Sequence, residues 1–351
     1  MKKTFKSALA VILTVLTVFI CVFTAFAGDT SAEPRLGNSL SKSTKLYSAF
    51  SDIINKDKSV IAVPGLEKTS FSDGTQAGNM VPQGVCAAND YILITAYDYN
   101  KEHNSVIYVI DKESGELKSV IEMPDKNHSG GIAFDGTMVW VAKSTSKKVK
   151  GIAILRIYEA ALMGGNYVLS DYDAVLDVDC TASFITADNG SLWVGTFTEK
   201  GNSSVTEYKI NYSLLNVTAE KGVVYTVPSK AQGAAFIEND NGKYLAVTAS
   251  YGRTLSSKLY VFKVENDSLT MVRRIKAPSM LEEIDLSDGC VYSVFESAAT
   301  EYCTNALNKC FNPVDVITVL DSDKLTSENV SFFENISIIF ARLLMQIRGA
   351  K

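Results

Sequence analysis

Histidine is the scarcest titratable residue in this chain, with His103 and His128 the only two among 351 residues. A histidine-rich metal centre is therefore excluded, and the six cysteines lack the tight paired spacings of a zinc site. Tryptophan also occurs only twice, against 16 tyrosines and 16 phenylalanines. Seven prolines and 22 glycines are too few for a collagen-like or low-complexity chain. Lysine and arginine form no long cluster and the formal charge is −5, so nucleic acid is not an expected partner. There is no serine nucleophile elbow, no phosphate-cradling glycine loop opening a helix and no EF-hand spacing. What is present, at 46% hydrophobic and 21% charged residues, suits a globular chain with a sizeable core.

The N-terminus points to export. Lys2, Lys3 and Lys6 precede an almost uninterrupted apolar run over 8–23, and Ala25-Phe26-Ala27 supplies small residues at a cleavage site before Gly28. We read residues 1–27 as a signal peptide cleaved after Ala27, and the mature protein as secreted. Cleavage takes away three lysines and no acid, shifting the formal charge from −5 to −8. No other apolar run reaches the ~20 residues that span a bilayer. Five cysteines remain, and Cys303 and Cys310 flank a short polar stretch where a disulfide is expected.

A repeat of about fifty residues organises the rest. Gln83, Gly130, Thr181, Gln232 and Glu282 mark equivalent starts, separated by 47, 51, 51 and 50 residues. Each start opens an apolar run and then a turn: Asn89-Asp90, Asp135-Gly136, Asn189-Gly190, Asn241-Gly242 and Asp288-Gly289. Such dipeptides tolerate positive φ and favour hairpins. Second strands are expected over 91–96, 138–142, 191–196, 244–249 and 290–295. Third and fourth strands follow at 105–110 with 117–123, 205–210 with 222–227, and 258–264 with 269–277. Pro124, Pro228 and Pro278 end the fourth strands, where a missing N–H does least harm.

Four strands per repeat, five times over, predict an all-β fold, a five-bladed β-propeller. The fifth repeat lacks a fourth strand, and 59–63 before Pro64-Gly65 is expected to supply it, closing the ring. The domains then run 28–58, a Ser/Thr/Lys-rich leader with room for one short helix; 59–325, the propeller; and 326–351, a helical tail. In that tail Ile336, Ile339, Phe340, Leu343, Leu344 and Ile347 share one face of an amphipathic helix. The expectation is docking on the propeller through this stripe, the alternative contact with a membrane surface or a partner. A monomer is expected.

Positions 84, 131, 182 and 233 are Gly, Gly, Ala and Gly, as needed where inner strands crowd a narrow channel, but the fifth is Glu283. With Gln83, His128, Thr181, Gln232 and Glu282 it forms the candidate binding set for a small molecule, glycan or protein at the funnel. A structural role in satisfying buried backbone groups is the competing reading. Glu282 and Glu283 point to opposite faces of a strand, so they do not pair as acid and base. The axial carboxylate makes a channel-bound cation the one candidate cofactor. Tyr97, Asp98, Tyr251, Arg253 and Glu296, at the ends of second strands, form a secondary patch expected at the opposite end of the ring. Asp188-Asn189-Gly190 and Asp240-Asn241-Gly242 resemble pieces of calcium loops but fall in the hairpin register.

The motifs Val63-Pro64-Gly65-Leu66, Val81-Pro82-Gln83-Gly84, Ser105-Val106-Ile107-Tyr108-Val109, His128-Ser129-Gly130-Gly131-Ile132 and Ser250-Tyr251-Gly252-Arg253 lie within 60–325. On these the chain resembles poorly characterised secreted bacterial propeller proteins, which implies an extracellular propeller without a settled activity. It is also similar, more weakly, to the five-bladed glutaminyl cyclotransferases, which share a Gln-Gly inner-strand start, but no catalytic residue of theirs maps onto a position here. Two functional classes follow. One is a secreted recognition module with a funnel site. The other is an extracellular lyase, cyclotransferase or hydrolase using Glu282 or Glu283 with His128.

Overall fold

The hairpin dipeptides turn where positive φ is needed: Asn89 sits at φ 54°, and Asn189-Gly190 at 48° and 75°. They connect the first two strands of blades whose description, in a computed structural model, covers residues 46–349 apart from 145, 215 and 305–308. The expected signal peptide, 1–27, and most of the leader lie outside the described residues.

The described chain opens with α1 (Ser48–Ile53) and a small hairpin of β1 (Thr69–Ser70) and β2 (Gln76–Ala77). The first blade contains β3 (Met80–Ala88), β4 (Tyr91–Asp98), β5 (Val106–Asp111) and β6 (Leu117–Glu122). The second begins with β7 (Gly131–Phe134), β8 (Met138–Ala142) and β9 (Lys148–Ala153). Here α2 (Ile154–Met163) and β10 (Gly165–Val168) intervene before β11 (Ala174–Asp177) completes it. The sequence reading missed this insertion. Buried Ile157, Ala160 and Ala161 pack the helix into the apolar cluster shared by the first two blades, and β10 adds a parallel fifth strand outside β6.

The third blade is β12 (Phe184–Asp188), β13 (Ser191–Gly195), β14 (Ser203–Tyr212) and β15 (Val217–Val227). The fourth is β16 (Ala231–Asn239), β17 (Gly242–Ala249), β18 (Ser257–Glu265) and β19 (Ser268–Ala277). The fifth has β20 (Leu281–Ser287), β21 (Cys290–Phe295), the short α3 (Thr300–Cys303) and β22 (Thr318–Asp321). Two helices follow, α4 (Ser322–Thr326) and α5 (Phe332–Gly349). Each inner strand packs on the next around the ring, β3 on β7, β12, β16 and β20 in turn, and β20 back on β3. The fold is a five-bladed β-propeller.

The ring closes through the N-terminal segment, though not as one continuous strand. Ala62 bridges Val316 and Ile54 bridges Leu320, while residues 56–60 loop out between them. Val63 N donates to Asp315 O at 2.9 Å, Ile317 N to Ile61 O at 2.8 Å and Asn55 N to Val319 O at 2.8 Å. The leader's helix α1 belongs to the core: Phe50 and Ile53 are buried among side chains of the fourth and fifth blades. Burial of each such side chain is worth about 1.5–3 kcal/mol.

Two expectations are overturned. The apolar stripe of α5 does not dock on the propeller. Ile338 and Ala341 turn inward, with Met345 beside them, and the stripe residues face solvent. Polar anchors select that orientation: Glu334 pairs with Arg273 at 3.1 Å, Arg342 donates to Met271 O, and Asn202 Nδ2 donates to Met345 O at 2.9 Å. Nor are Cys303 and Cys310 bridged. Cys303 Sγ donates to the carbonyl of Ala298 at 3.4 Å, and Cys310 Sγ lies 3.2 Å from the hydroxyl of Ser279.

Candidate functional site

The propeller axis is filled by one side chain. Glu283, fully enclosed on β20, accepts the amides of Ile132 at 2.7 Å and of Val85 and Ile185 at 3.2 Å each. One carboxylate thus ties the inner strands of the first three blades to the fifth. Burial pushes its pKa well above the ordinary carboxylate value, and the backbone donors oppose that shift. The bare positions around it make room. A Cβ on Gly131 would lie 2.5 Å from Glu283 Oε1, and one on Gly84 would lie 2.8 Å from Oε2. The oxygens of Glu283, expected to face a ligand, are turned to backbone donors. A cation at this carboxylate is disfavoured for the same reason: the N–H dipoles converging there present their positive ends.

The register of the third blade also differs from the sequence alignment. Ile185 stands where Val85 and Ile132 stand, so Phe184 rather than Ala182 holds the ring position. Thr181 falls outside the ring and is exposed ahead of β12. Ser183 takes its place, its hydroxyl accepting from Phe197 N at 3.0 Å.

At the mouth where the inner strands begin, a polar group assembles. Gln83 Nε2 donates to Glu296 Oε2 at 2.9 Å, and Gln83 Oε1 meets His128 Nε2. Gln232 Nε2 lies 3.4 Å from Glu282 Oε1, and the charge of Glu296 acts on Glu282. Burial raises both: Glu296 to about 7, despite the Gln83 amide and the Arg253 charge, and Glu282 well above its usual range, with the Glu296 and Glu283 charges adding to the effect. Both shifts favour the protonated carboxyls. His128 stacks on Tyr97 at 4.5 Å. Crowding of its ring and the Lys101 charge lower its pKa, a depression limited by the solvent exposure the residue retains.

Tyr97 and Glu296 were expected at the opposite end of the ring. They lie at this mouth, because an antiparallel second strand returns to where the first began: Val81 pairs with Tyr97, and Leu281 with Phe295. The two sequence sets merge into one site. The other members of the secondary patch do different work. Buried Asp98 accepts the amides of Asn100, Glu102 and His103 and the ring Nδ1 of His103, clamping the loop after β4. Tyr251 is exposed beneath Lys230, 3.8 Å from Nζ to ring centre. Arg253 pairs with Glu301 at 3.2 Å and lies over the Tyr302 ring at 4.6 Å.

Tyr302 is the residue of the candidate site that sequence reasoning missed. It sits on α3, in the long connection between β21 and β22, with its hydroxyl 3.3 Å from that of Tyr97 and its ring edge-on to Tyr99. The signal available was that connection's length, since long loops in compact domains are often functional. The segment is anchored over the mouth, Thr300 Oγ1 donating to Leu66 O at 2.9 Å and Glu301 N to Asn79 Oδ1 at 3.1 Å.

A cavity of about 790 Å³ opens at the other end of the ring, between the first and fifth blades, beside the Lys112–Asp288 ion pair. Its polar groups are surface turns, whereas buried Glu282 and half-buried Glu296, both with raised pKa, are at the mouth, so we place the candidate site there.

A five-bladed propeller with two carboxyls, Glu282 and Glu296, at its channel mouth is the class that fold and site define. No family model matches the chain, and no curated protein matches it. Among solved structures it is similar to Myxococcus xanthus glutaminyl cyclase, with 10% identity, a TM-score of 0.45, and 69% of this chain and 91% of that one covered. It is also similar to Kuenenia stuttgartiensis hydrazine synthase, with 13% identity, a TM-score of 0.37 and coverage of 60% and 55%. A third likeness is to the nidogen/laminin complex, with 11% identity, a TM-score of 0.39 and coverage of 62% and 73%. No activity is carried over from these proteins.

Proposed function

We propose that the protein is a recognition module, exported through its N-terminal segment, whose channel mouth binds a small ligand bearing a positively charged amine. The observation behind this reading is the Glu282–Glu296 pair. Burial disfavours the charged forms of the buried Glu282 and half-buried Glu296 carboxyls, and an ammonium group beside them would stabilise the ionised pair. The Gln83 and Gln232 amides beside them supply directional hydrogen bonds, and the hydroxyls of Tyr97 and Tyr302 lie together at the same mouth. The enzyme alternative has less support. A glycosidase needs its carboxyls on the two sides of a scissile bond, whereas Glu282 and Glu296 follow the paired residues Leu281 and Phe295 on adjacent strands of one blade.

Calorimetry with putrescine and agmatine, each against a neutral analogue of the same shape, tests the reading. Binding should release protons, because the ligand ionises the pair, and Glu296→Gln should weaken it at least about tenfold. If the neutral analogues bind equally well, or no amine binds at millimolar concentration, the reading fails.

A further inference from the structure

The unabsorbed feature of this molecule is the outer face of α5. Phe333, Ile336, Phe340, Leu343 and Ile347 are all at least half exposed and recur at spacings of 3, 4, 3 and 4. That is the a/d seam of a heptad repeat, on the side of the helix turned away from the propeller. Phe332, Ile339 and Leu344 widen it, so that eight large apolar side chains stand in solvent on one 18-residue helix. The patch exposes on the order of 900 Å², against roughly 300–600 Å² for the largest patch on a typical monomer and about 800 Å² per partner in a standard interface.

We propose that this face is a self-association surface, through which two copies of the chain pair in a helix-to-helix, two-fold interface. Three observations select a second copy over a membrane. The positions flanking the seam hold Ser337, Ile339, Leu344 and Gln346, so identical faces meet with no like-charge contact. The helix's own charged side chains are committed inward, Glu334 to Arg273, Arg342 to Met271 O and Arg348 to Ser229 Oγ, leaving no basic rim for anionic headgroups. The chain as a whole is acidic, at −5, which an anionic bilayer repels. The inward anchors also hold the seam in a fixed orientation, which lowers the ordering cost of pairing.

Sedimentation velocity and light scattering of the purified protein across the micromolar range test this. The parent chain should show a dimer mass that dissociates on dilution. Ile336→Glu and Phe340→Glu should each raise the dissociation constant at least about tenfold, since a charge enters an apolar seam. Both side chains are exposed, so the thermal transition of the diluted monomer should match the parent's, which separates lost pairing from lost folding. A monomer at every concentration overturns the proposal. So does a dimer undisturbed by both substitutions, or a monomer that instead floats with vesicles of phosphatidylglycerol and phosphatidylcholine.

Discussion

The carboxylate of Glu283, on the fifth blade, accepts the amide of Ile132, on the second, at 2.7 Å across the axis of the ring. Val85 and Ile185 donate to the same side chain, so a single residue satisfies three backbone amides at the axis. Glu283→Gln retains one acceptor oxygen but turns an NH2 group toward at least one donor. The expected loss is on the order of 2–4 kcal/mol, read from urea denaturation. Glu283→Ala should cost more. An unchanged midpoint in both variants would show that the axial bonds carry no stability.

The mouth pair makes stability depend on pH in an unusual direction. A carboxyl whose pKa is raised on folding, as Glu296 is to about 7 from 4.5, keeps a proton that the unfolded chain has released. Between those values the native state binds more protons, so stability is greatest at the acid side and falls as pH rises through 7. Asp285, raised by burial to about 7 from 3.8, has the same sign. Melting midpoints should therefore decline from pH 5 to pH 7.5, and Glu296→Gln should flatten part of that slope, on the order of 2 kcal/mol. A slope unchanged by Glu296→Gln would remove this pair from the account.

Closure through the N-terminal segment predicts a large effect from a residue far from the repeats. Phe50→Ala empties a site between the fourth and fifth blades and should cost about 3–5 kcal/mol. Deleting everything up to residue 63 removes α1 and the segment beside β22, and should leave no cooperative thermal transition. A truncated chain that melts like the parent would show that the fifth blade stands without its fourth element.

The thiols provide a chemical check. Because Cys303 and Cys310 face different oxygens, unreduced protein unfolded in the presence of iodoacetamide should show both residues alkylated by peptide mass spectrometry. A 303–310 disulfide peptide would contradict the arrangement described.

Blade number was legible from the chain because it rests on short-range chemistry. Each hairpin is specified by its own turn, as at Asn89 and Asn189, and each strand by its own alternation. The third blade escaped that logic: its start was placed at Thr181, two residues from the position Ser183 takes, because apolar pattern alone does not distinguish registers near a strand's beginning. The insertion of α2 was hidden for a similar reason, a helix of ten residues inside a repeat read at period two. Three arrangements exist only in the closed ring. Val85, Ile132 and Ile185 reach one carboxylate because five strands crowd the axis. Gln83 and Tyr97 meet Glu282, Glu296 and Tyr302 because the first and last blades become neighbours when the ring shuts. The apolar stripe of α5 faces outward because Arg273, Met271 and Asn202, distant in sequence, bind its polar side. Local propensity acts over a few residues, whereas these contacts span tens to hundreds, and only packing brings such partners within reach of one another.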